Sequence, residues 1–182
     1  MVLAPRHPER FGAVAALLER SGFPPVRRSE WKSDPPDLKH PLQVGQILLL
    51  DTIGELASVY SLASVAFVGG SAVEAGGHNP LEPAQFGVPI VMGPYYANFR
   101  AITEDLLAHR AIRIAPKEEL AQALIELLRD PSEAGAMGAR ARHVFEQQAG
   151  ATSRCVKAIR EILDGAPGAL TGGSSAVSES PS

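Results

Sequence analysis

The sequence predicts an α/β domain in which a parallel sheet is flanked by helices. Three observations predict it. Short apolar runs recur at Ile47–Leu50, at Val65–Val68, at Val88–Val91, which Pro89 interrupts, and more weakly at Ile112–Ala115, as strands buried on both faces require. Segments carrying helix start signals lie between these runs. After the last run come three apolar stripes at helical spacing: Leu120, Leu124, Leu127 and Leu128, then Ala134, Met137, Ala141, Val144 and Phe145, then Thr152, Val156, Ile159 and Leu163. Alternation of this kind, ending in helices, describes a doubly wound domain.

Taken in order, Val2–Ala4 is a strand stub. A helix runs from about Pro8 to Arg20, with proline suited to its first turn and Gly22 ending it. Val26–Ser29 reads as a short edge strand. Charges, Trp31 and several prolines make residues 30–45 a surface loop. After the Ile47–Leu50 strand, Thr52-Ile53-Gly54-Glu55 has the form of a capping box. After Val65–Val68, Asn79-Pro80-Leu81-Glu82 places an N-cap residue before a proline, with a carboxylate three residues on. Asn98 reads as the N-cap of the helix after the Val88–Val91 strand. Residues 1–164 thus form one domain, and the Gly/Ser/Ala-rich tail 165–182 has no apolar period and reads as disordered.

A chain of 182 residues with 45% hydrophobic and 20% charged residues can bury a real core. A net charge of −3 and a pI near 6 give no basic face for a nucleic-acid backbone. The single cysteine, Cys155, allows no internal disulfide, reads as a core residue of the last stripe, and fits a reducing compartment. No apolar run approaches the roughly 20 residues of a membrane span, and no signal-peptide core follows Met1. These features describe a cytosolic chain. The strand beginning at residue 2 has no turn before it, which fits a naturally short domain or a piece of a longer protein. His40, His109 and His143 lack metal-ligand spacing.

The densest chemical signal is Gly69-Gly70-Ser71 followed by Gly76-Gly77-His78-Asn79-Pro80-Leu81-Glu82-Pro83. It lies between a strand and a helix, at the strand edge where such sheets bind ligands. Glycines admit close backbone approach, and a helix starting near Asn79 would point free N–H groups at an anion. The string is neither a Walker motif nor GxGxxG. Glu82 either completes a capping box on Asn79 or accepts hydrogen bonds from ribose hydroxyls. Arg6, at the end of the first strand, either clamps a phosphate or carboxylate or belongs to a solvated charge run. Asp51–Glu55 is a plain capping box or a nucleotide contact. Tyr95 and Tyr96 follow the Val88–Val91 strand on the same edge.

Arg6-His7-Pro8-Glu9-Arg10-Phe11, Asp51-Thr52-Ile53-Gly54-Glu55-Leu56, Gly69-Gly70-Ser71, Gly76 to Ala84, and Gly93-Pro94 followed by Asn98-Phe99 resemble in order and spacing the 3-deoxy-D-manno-octulosonic acid (Kdo) transferases. The resemblance spans about Leu3 to Leu163. It implies a Rossmann-like domain, the C-terminal half of a GT-B glycosyltransferase, holding the donor CMP-Kdo. It further implies inverting transfer without a metal or cofactor to a lipid A precursor, for lipopolysaccharide synthesis at the cytoplasmic face of the bacterial inner membrane. Arg6, Gly70 and Ser71 become candidates for phosphate or Kdo carboxylate contacts. Gly77, His78 and Asn79 lie at the phosphate-facing helix start, Glu82 takes the ribose, and Gly54, Glu55 and Pro94 line the nucleotide pocket. The acceptor half, with the general base, has no counterpart in these residues, so the chain is expected to bind CMP without transferring sugar. Other readings are a GT-B donor domain for a UDP-sugar, a non-catalytic nucleotide-binding module, and a structural domain with an empty glycine-rich edge.

Overall fold

The structure is a computed structural model that describes residues 1–31 and 42–164. The tail 165–182 and most of the predicted 30–45 loop, including His40, lie outside the described residues.

Chain order is β1 (Val2–Leu3), a 3-10 turn at Pro8–Arg10, α1 (Phe11–Arg20), β2 (Pro25–Arg27), a second 3-10 turn at Arg28–Glu30, β3 (Ile47–Leu49) and α2 (Leu56–Tyr60). There follow β4 (Ala66–Val68), α3 (Leu81–Ala84), β5 (Ile90–Met92), a 3-10 turn at Ala97–Phe99, α4 (Arg100–Ala108), β6 (Ile112–Ile114), α5 (Leu120–Arg129) and α6 (Pro131–Asp164). Each apolar run of the sequence forms a strand. Pro8 opens a 3-10 turn rather than α1 itself. Gly22 ends α1 as predicted: the Gly22 N–H reaches the Glu19 carbonyl at 3.1 Å and the Phe23 N–H reaches Leu18 at 2.9 Å, the paired bonds of a Schellman motif.

The strands form two three-stranded ladders, β1-β3-β2 and β4-β5-β6, every pairing parallel. One continuous sheet was the expectation. The sheet divides where β1 is only two residues long and Val2 is exposed, leaving little backbone to pair on its free side. β2 is an edge strand, and Pro25 opens it, a position where a missing N–H costs no ladder bond.

The fold winds on both faces around β5, all of which is buried. Ile90 and Met92 pack with Val68 of β4, Ala84 of α3, Leu106 of α4 and Ala141 and Val144 of α6. Val91 points the other way, against Ala123 and Leu127 of α5 and Met137 of α6. This period-2 division of one strand between two helical layers explains why its run reads as continuously apolar. The last two stripes, which read as separate helices, lie on the single 34-residue α6, about 51 Å long at 1.5 Å per residue. Its first half is core, whereas Val156 and Ile159 are exposed. Leu128 also departs from its stripe and is exposed. Cys155 falls on α6, but its side chain lies outside what the structure describes.

One buried group has no partner among the described residues: the hydroxyl of Thr103, in α4. An unpaired buried hydroxyl costs roughly 1–3 kcal/mol. Thr103→Val keeps the branched shape and removes the orphan. The expected result is a gain of about 1 kcal/mol, read as a raised urea midpoint at unchanged slope; a lowered midpoint would refute the assignment.

Candidate functional site

All six strands being parallel, their carboxyl ends can serve one edge, and the sequence places its chemistry in the turns that follow them. The turns after β1, β3 and β4 converge on a groove of about 320 Å³. Arg6 comes from the first turn, Thr52, Ile53 and Gly54 from the second, and Gly69, His78, Asn79 and Glu82 from the third. Two of these turns belong to one ladder and the third to the other. The groove therefore lies where the sheet changes from one ladder to the next, the place where doubly wound sheets bind ligands.

The glycine-rich segment is a closed loop. The Gly77 N–H donates to the Gly70 carbonyl at 2.9 Å and the His78 N–H to Gly69 at 3.0 Å. This folds the His78 ring onto the two glycines. A Cβ at Gly70 would lie 3.0 Å from that ring, and its φ of +70° disfavours any side chain. Gly76 is restricted by a different neighbour, since a Cβ there would run into the Asn98 side chain. Asn98 is not the N-cap it was expected to be. Its N–H donates to the Gly76 carbonyl at 3.0 Å and its amide reaches Ala75 at 3.4 Å, so it braces the loop.

Ser71, expected to contact a phosphate or carboxylate, faces inward. Its side chain is fully buried, its hydroxyl donates to the Val68 carbonyl, and it accepts the Gly93 N–H at 2.9 Å. The hydroxyl ties the end of β4 to the end of β5 and has no path to a ligand in this arrangement. Asn79 accepts the Leu81 N–H at 3.0 Å, an Asx turn just ahead of α3; the N-cap itself is Pro80, with no side-chain cap bond, one residue past the predicted cap. Glu82 makes no return bond to Asn79 among the described residues, and its carboxylate is left in the groove. α3 has only four residues, so it lends little of the dipole field expected at its start. Arg6 supplies the groove's fixed positive charge.

The turn after β3 corrects two further expectations. Helix α2 begins at Leu56, with no side-chain cap. The Thr52 hydroxyl donates to the Glu55 carboxylate instead of to backbone, and Arg28 holds the other Glu55 oxygen at 2.6 Å while its guanidinium lies over Trp31. Glu55 therefore faces the 3-10 turn after β2, outside the groove wall. The Thr52 hydroxyl and, against some desolvation, Arg28 hold its carboxyl below the usual range. Asp51 is likewise spent inside the fold. Its side chain is 1% exposed and accepts Arg27 Nε at 2.8 Å, with the Ser29 N–H at 2.8 Å and the Ser29 hydroxyl at 2.7 Å. Pro94 lines a neighbouring hollow of about 280 Å³ with Glu74, Gly76, Tyr95, Tyr96 and Arg100, apart from Arg6 and Glu82.

Charge in the groove is balanced. Burial lowers the His78 pKa, as do the positive charge of Arg6 and the proximity of His7, with Glu82 opposing. The imidazole is therefore held neutral near pH 7, leaving one guanidinium and one carboxylate in the wall. Tyr60 joins them from the end of α2, with Phe11 and Leu56 as apolar lining. These three were not singled out as site residues. The available signal was Leu56 and Tyr60, four apart and on one helical face directly after a candidate turn. Among the described residues no group of three His, Cys, Asp or Glu could hold a metal ion, and no helix is long and apolar enough to cross a membrane.

Comparison with known proteins follows the same geometry. Residues 38–144 match the family model for glycosyl transferases group 1. The chain is 36% identical over 165 residues to a 3-deoxy-D-manno-octulosonic acid transferase of Bordetella pertussis and 34% identical over 166 residues to that of Haemophilus influenzae. Each alignment takes in 90% of this chain and 37% of the relative, so the chain spans little more than a third of the length of those relatives. Among solved structures, the C-terminal CMP-Kdo binding domain of WaaA from Acinetobacter baumannii superposes with a TM-score of 0.70 at 34% identity, covering 79% of this chain and 72% of that one. The chain belongs to the glycosyl transferases of group 1, as a homologue of the 3-deoxy-D-manno-octulosonic acid transferases.

Proposed function

We propose that this chain is the donor-binding half of a Kdo transferase and holds the CMP portion of CMP-Kdo in the groove between the two ladders. The observation that carries this reading is the placement of Arg6, His78, Asn79 and Glu82 on one wall system at the ladder junction. Arg6 neutralises the phosphate. Glu82 accepts hydrogen bonds from the ribose hydroxyls. Gly54 and Gly69 line the groove, with open space beside Gly54, whereas the expected Gly70 and Gly77 contacts are not in its wall because those glycines pack against His78 and against Tyr95 and Met92; the Phe11, Ile53 and Leu56 side chains offer the base an apolar surface. When the bond between the sugar's anomeric carbon and the phosphate oxygen breaks, negative charge grows on the departing phosphate. A guanidinium already in place there stabilises it.

The acceptor, a lipid A precursor at the cytoplasmic face of the inner membrane, and the general base belong in this reading to the other half of the enzyme. The 182 residues alone are expected to bind CMP and give no product with CMP-Kdo and lipid acceptor, because acceptor positioning and water exclusion need the facing wall. Calorimetric titration with CMP, UMP and UDP tests the donor reading. The expected result is selective CMP binding, weakened about 10-fold in Glu82→Ala, the value of roughly one charge-assisted hydrogen bond. Preference for UDP would instead mark a UDP-sugar donor domain, and a folded chain that no nucleotide stabilises would refute nucleotide binding by the isolated domain.

A further inference from the structure

We infer that Asn98 is a positioning residue for donor binding: from the turn after β5, outside the groove, it holds the glycine loop in the shape that presents His78 and Asn79 to the ligand. This rests on the donor-site reading above. The loop is soft by composition. Gly76 and Gly77 follow one another at φ of +81° and +75°, left-handed positions that glycine enters easily but loses much chain freedom in keeping. On one side the Gly77 and His78 N–H groups close the loop onto the Gly70 and Gly69 carbonyls. On the other side the turn after β5 holds it. The Asn98 N–H donates to the Gly76 carbonyl at 3.0 Å, and the Asn98 side-chain amide donates to the Ala75 carbonyl at 3.4 Å. That side chain also fills the place where a Cβ on Gly76 would project.

The holding turn is itself anchored. Ser71 accepts the Gly93 N–H on its hydroxyl at 2.9 Å and the Tyr95 N–H on its carbonyl at 3.0 Å. The Phe99 N–H donates to the Tyr96 carbonyl at 3.0 Å, closing the 3-10 turn around Asn98. Gly77 is pressed against the same turn, since a Cβ there would lie 3.1 Å from the Tyr95 carbonyl oxygen and 3.2 Å from the end of Met92. Residues 75–78 are therefore sandwiched between the end of β4 and the turn after β5. His78 and Asn79 line the groove, whereas Gly76 lines the neighbouring hollow. The restraint at Gly76 reaches the groove through Gly77 and then His78, whose ring lies over Gly69 and Gly70. A loop already held in its binding shape does not have to be ordered by the ligand, so the restraint appears as affinity.

Asn98 is exposed, and Asn98→Ala keeps its backbone bond to Gly76, so the variant is expected to melt close to the parent. By calorimetry it should weaken CMP about 5-fold, the effect of leaving a short loop to be ordered on binding. Two readouts follow the loop without ligand. Hydrogen exchange should quicken at the Gly77 and His78 amides while β5 and α4 stay protected. The His78 ring, which burial, Arg6 and His7 hold below 6.5, should titrate closer to that value by NMR as the loop loosens. Gly76→Ala attacks the same contact from the loop side and should also weaken CMP. In the double variant the two losses should not multiply, because alanine at 98 clears the space that the new Cβ needs. Unchanged CMP affinity in Asn98→Ala overturns the inference. So do losses that multiply, or opening that spreads through β5 and α4, the mark of a merely structural role. If the parent binds no CMP, the donor-site reading fails, and exchange with the His78 titration still decides whether Asn98 sets the loop.

Discussion

Asp51→Ala is expected to destabilise the chain by about 2–4 kcal/mol, the largest stability change among those considered. The carboxylate is almost wholly enclosed and accepts three hydrogen bonds, two from Ser29 and one from Arg27. Alanine leaves the Ser29 N–H and hydroxyl short of an acceptor. Arg27, with 36% of its side chain exposed, can turn to water, which keeps the cost below that of a fully buried ion pair. The bonds also have a topological role. They fasten the turn after β2 to the end of β3, where Arg27 sits in register with Leu49. Their loss should loosen the β2 edge first. Urea unfolding measures the total, and hydrogen exchange should show the early opening confined to β2 and its turn. A change below about 0.5 kcal/mol, the size of an ordinary surface substitution, would mean that the cluster contributes nothing.

The same carboxylate leaves a pH signature. Burial alone would raise the Asp51 pKa, but the Ser29 hydroxyl and N–H and then Arg27 outweigh it, so the folded value lies below the ordinary 3.8. A depressed folded pKa means that the unfolded chain binds more protons. The stabilisation is therefore complete above about pH 4 and is lost as pH falls through the lower folded value. His78 is also depressed from 6.5 and acts with the same sign, in a higher window that opens as pH drops below about 6.5. The parent should lose stability in two stages on acidification. Asp51→Ala should remove much of the stage below pH 4 and keep the one nearer 6; an acid limb identical to the parent's would contradict the assignment.

Asp51 also illustrates what was legible in the sequence. Strand positions were readable because β3, β4 and β5 carry continuous apolar residues and β6 carries Ile112 and Ile114 on either side of Arg113, and that signal depends only on burial. The convergence of Arg6 and Glu82 was legible because both follow strands, and a parallel sheet sends such turns to one edge. Which polar residue faces a ligand and which faces the protein was not legible. Asp51, Glu55 and Ser71 also follow strands, yet Ser29 with Arg27, Arg28, and the Gly93 N–H respectively claim them. Those partners lie 22 to 27 residues away in sequence, beyond the reach of any local pattern. The division of Pro94 from the groove has a similar origin, because the glycine loop folds between the turns after β3 and β5. α6 misled for the opposite reason. Two stripes separated by the polar stretch Glu146-Gln147-Gln148 read as two helices, whereas one long helix changes neighbours along its length.

Arg6→Ala is expected to weaken CMP binding about 10- to 100-fold, the value of one charge-assisted bond to phosphate, roughly 1.5–3 kcal/mol. Arg6 lines the groove and belongs to no ion pair among the described residues. The neighbouring imidazoles do not replace it. His78 is held neutral, and His7 is engaged with Glu9 at 3.6 Å. Because Arg6 is exposed, its attraction is screened, so CMP affinity in the parent should fall as salt rises and that dependence should flatten in the variant. Arg6→Lys separates charge from shape. Lysine keeps the salt dependence but cannot present two parallel N–H groups to phosphate oxygens, so an intermediate loss is expected. Arg10→Ala, four residues on, exposed and outside the groove, is the control and should bind as the parent does. Equal losses for Arg6→Ala and Arg10→Ala would show that net charge near the groove, and not a directed contact, draws the nucleotide. No loss from Arg6→Ala would move the phosphate away from the β1 turn and toward the turns after β3 and β4, where the described residues of the groove offer no second guanidinium or ammonium.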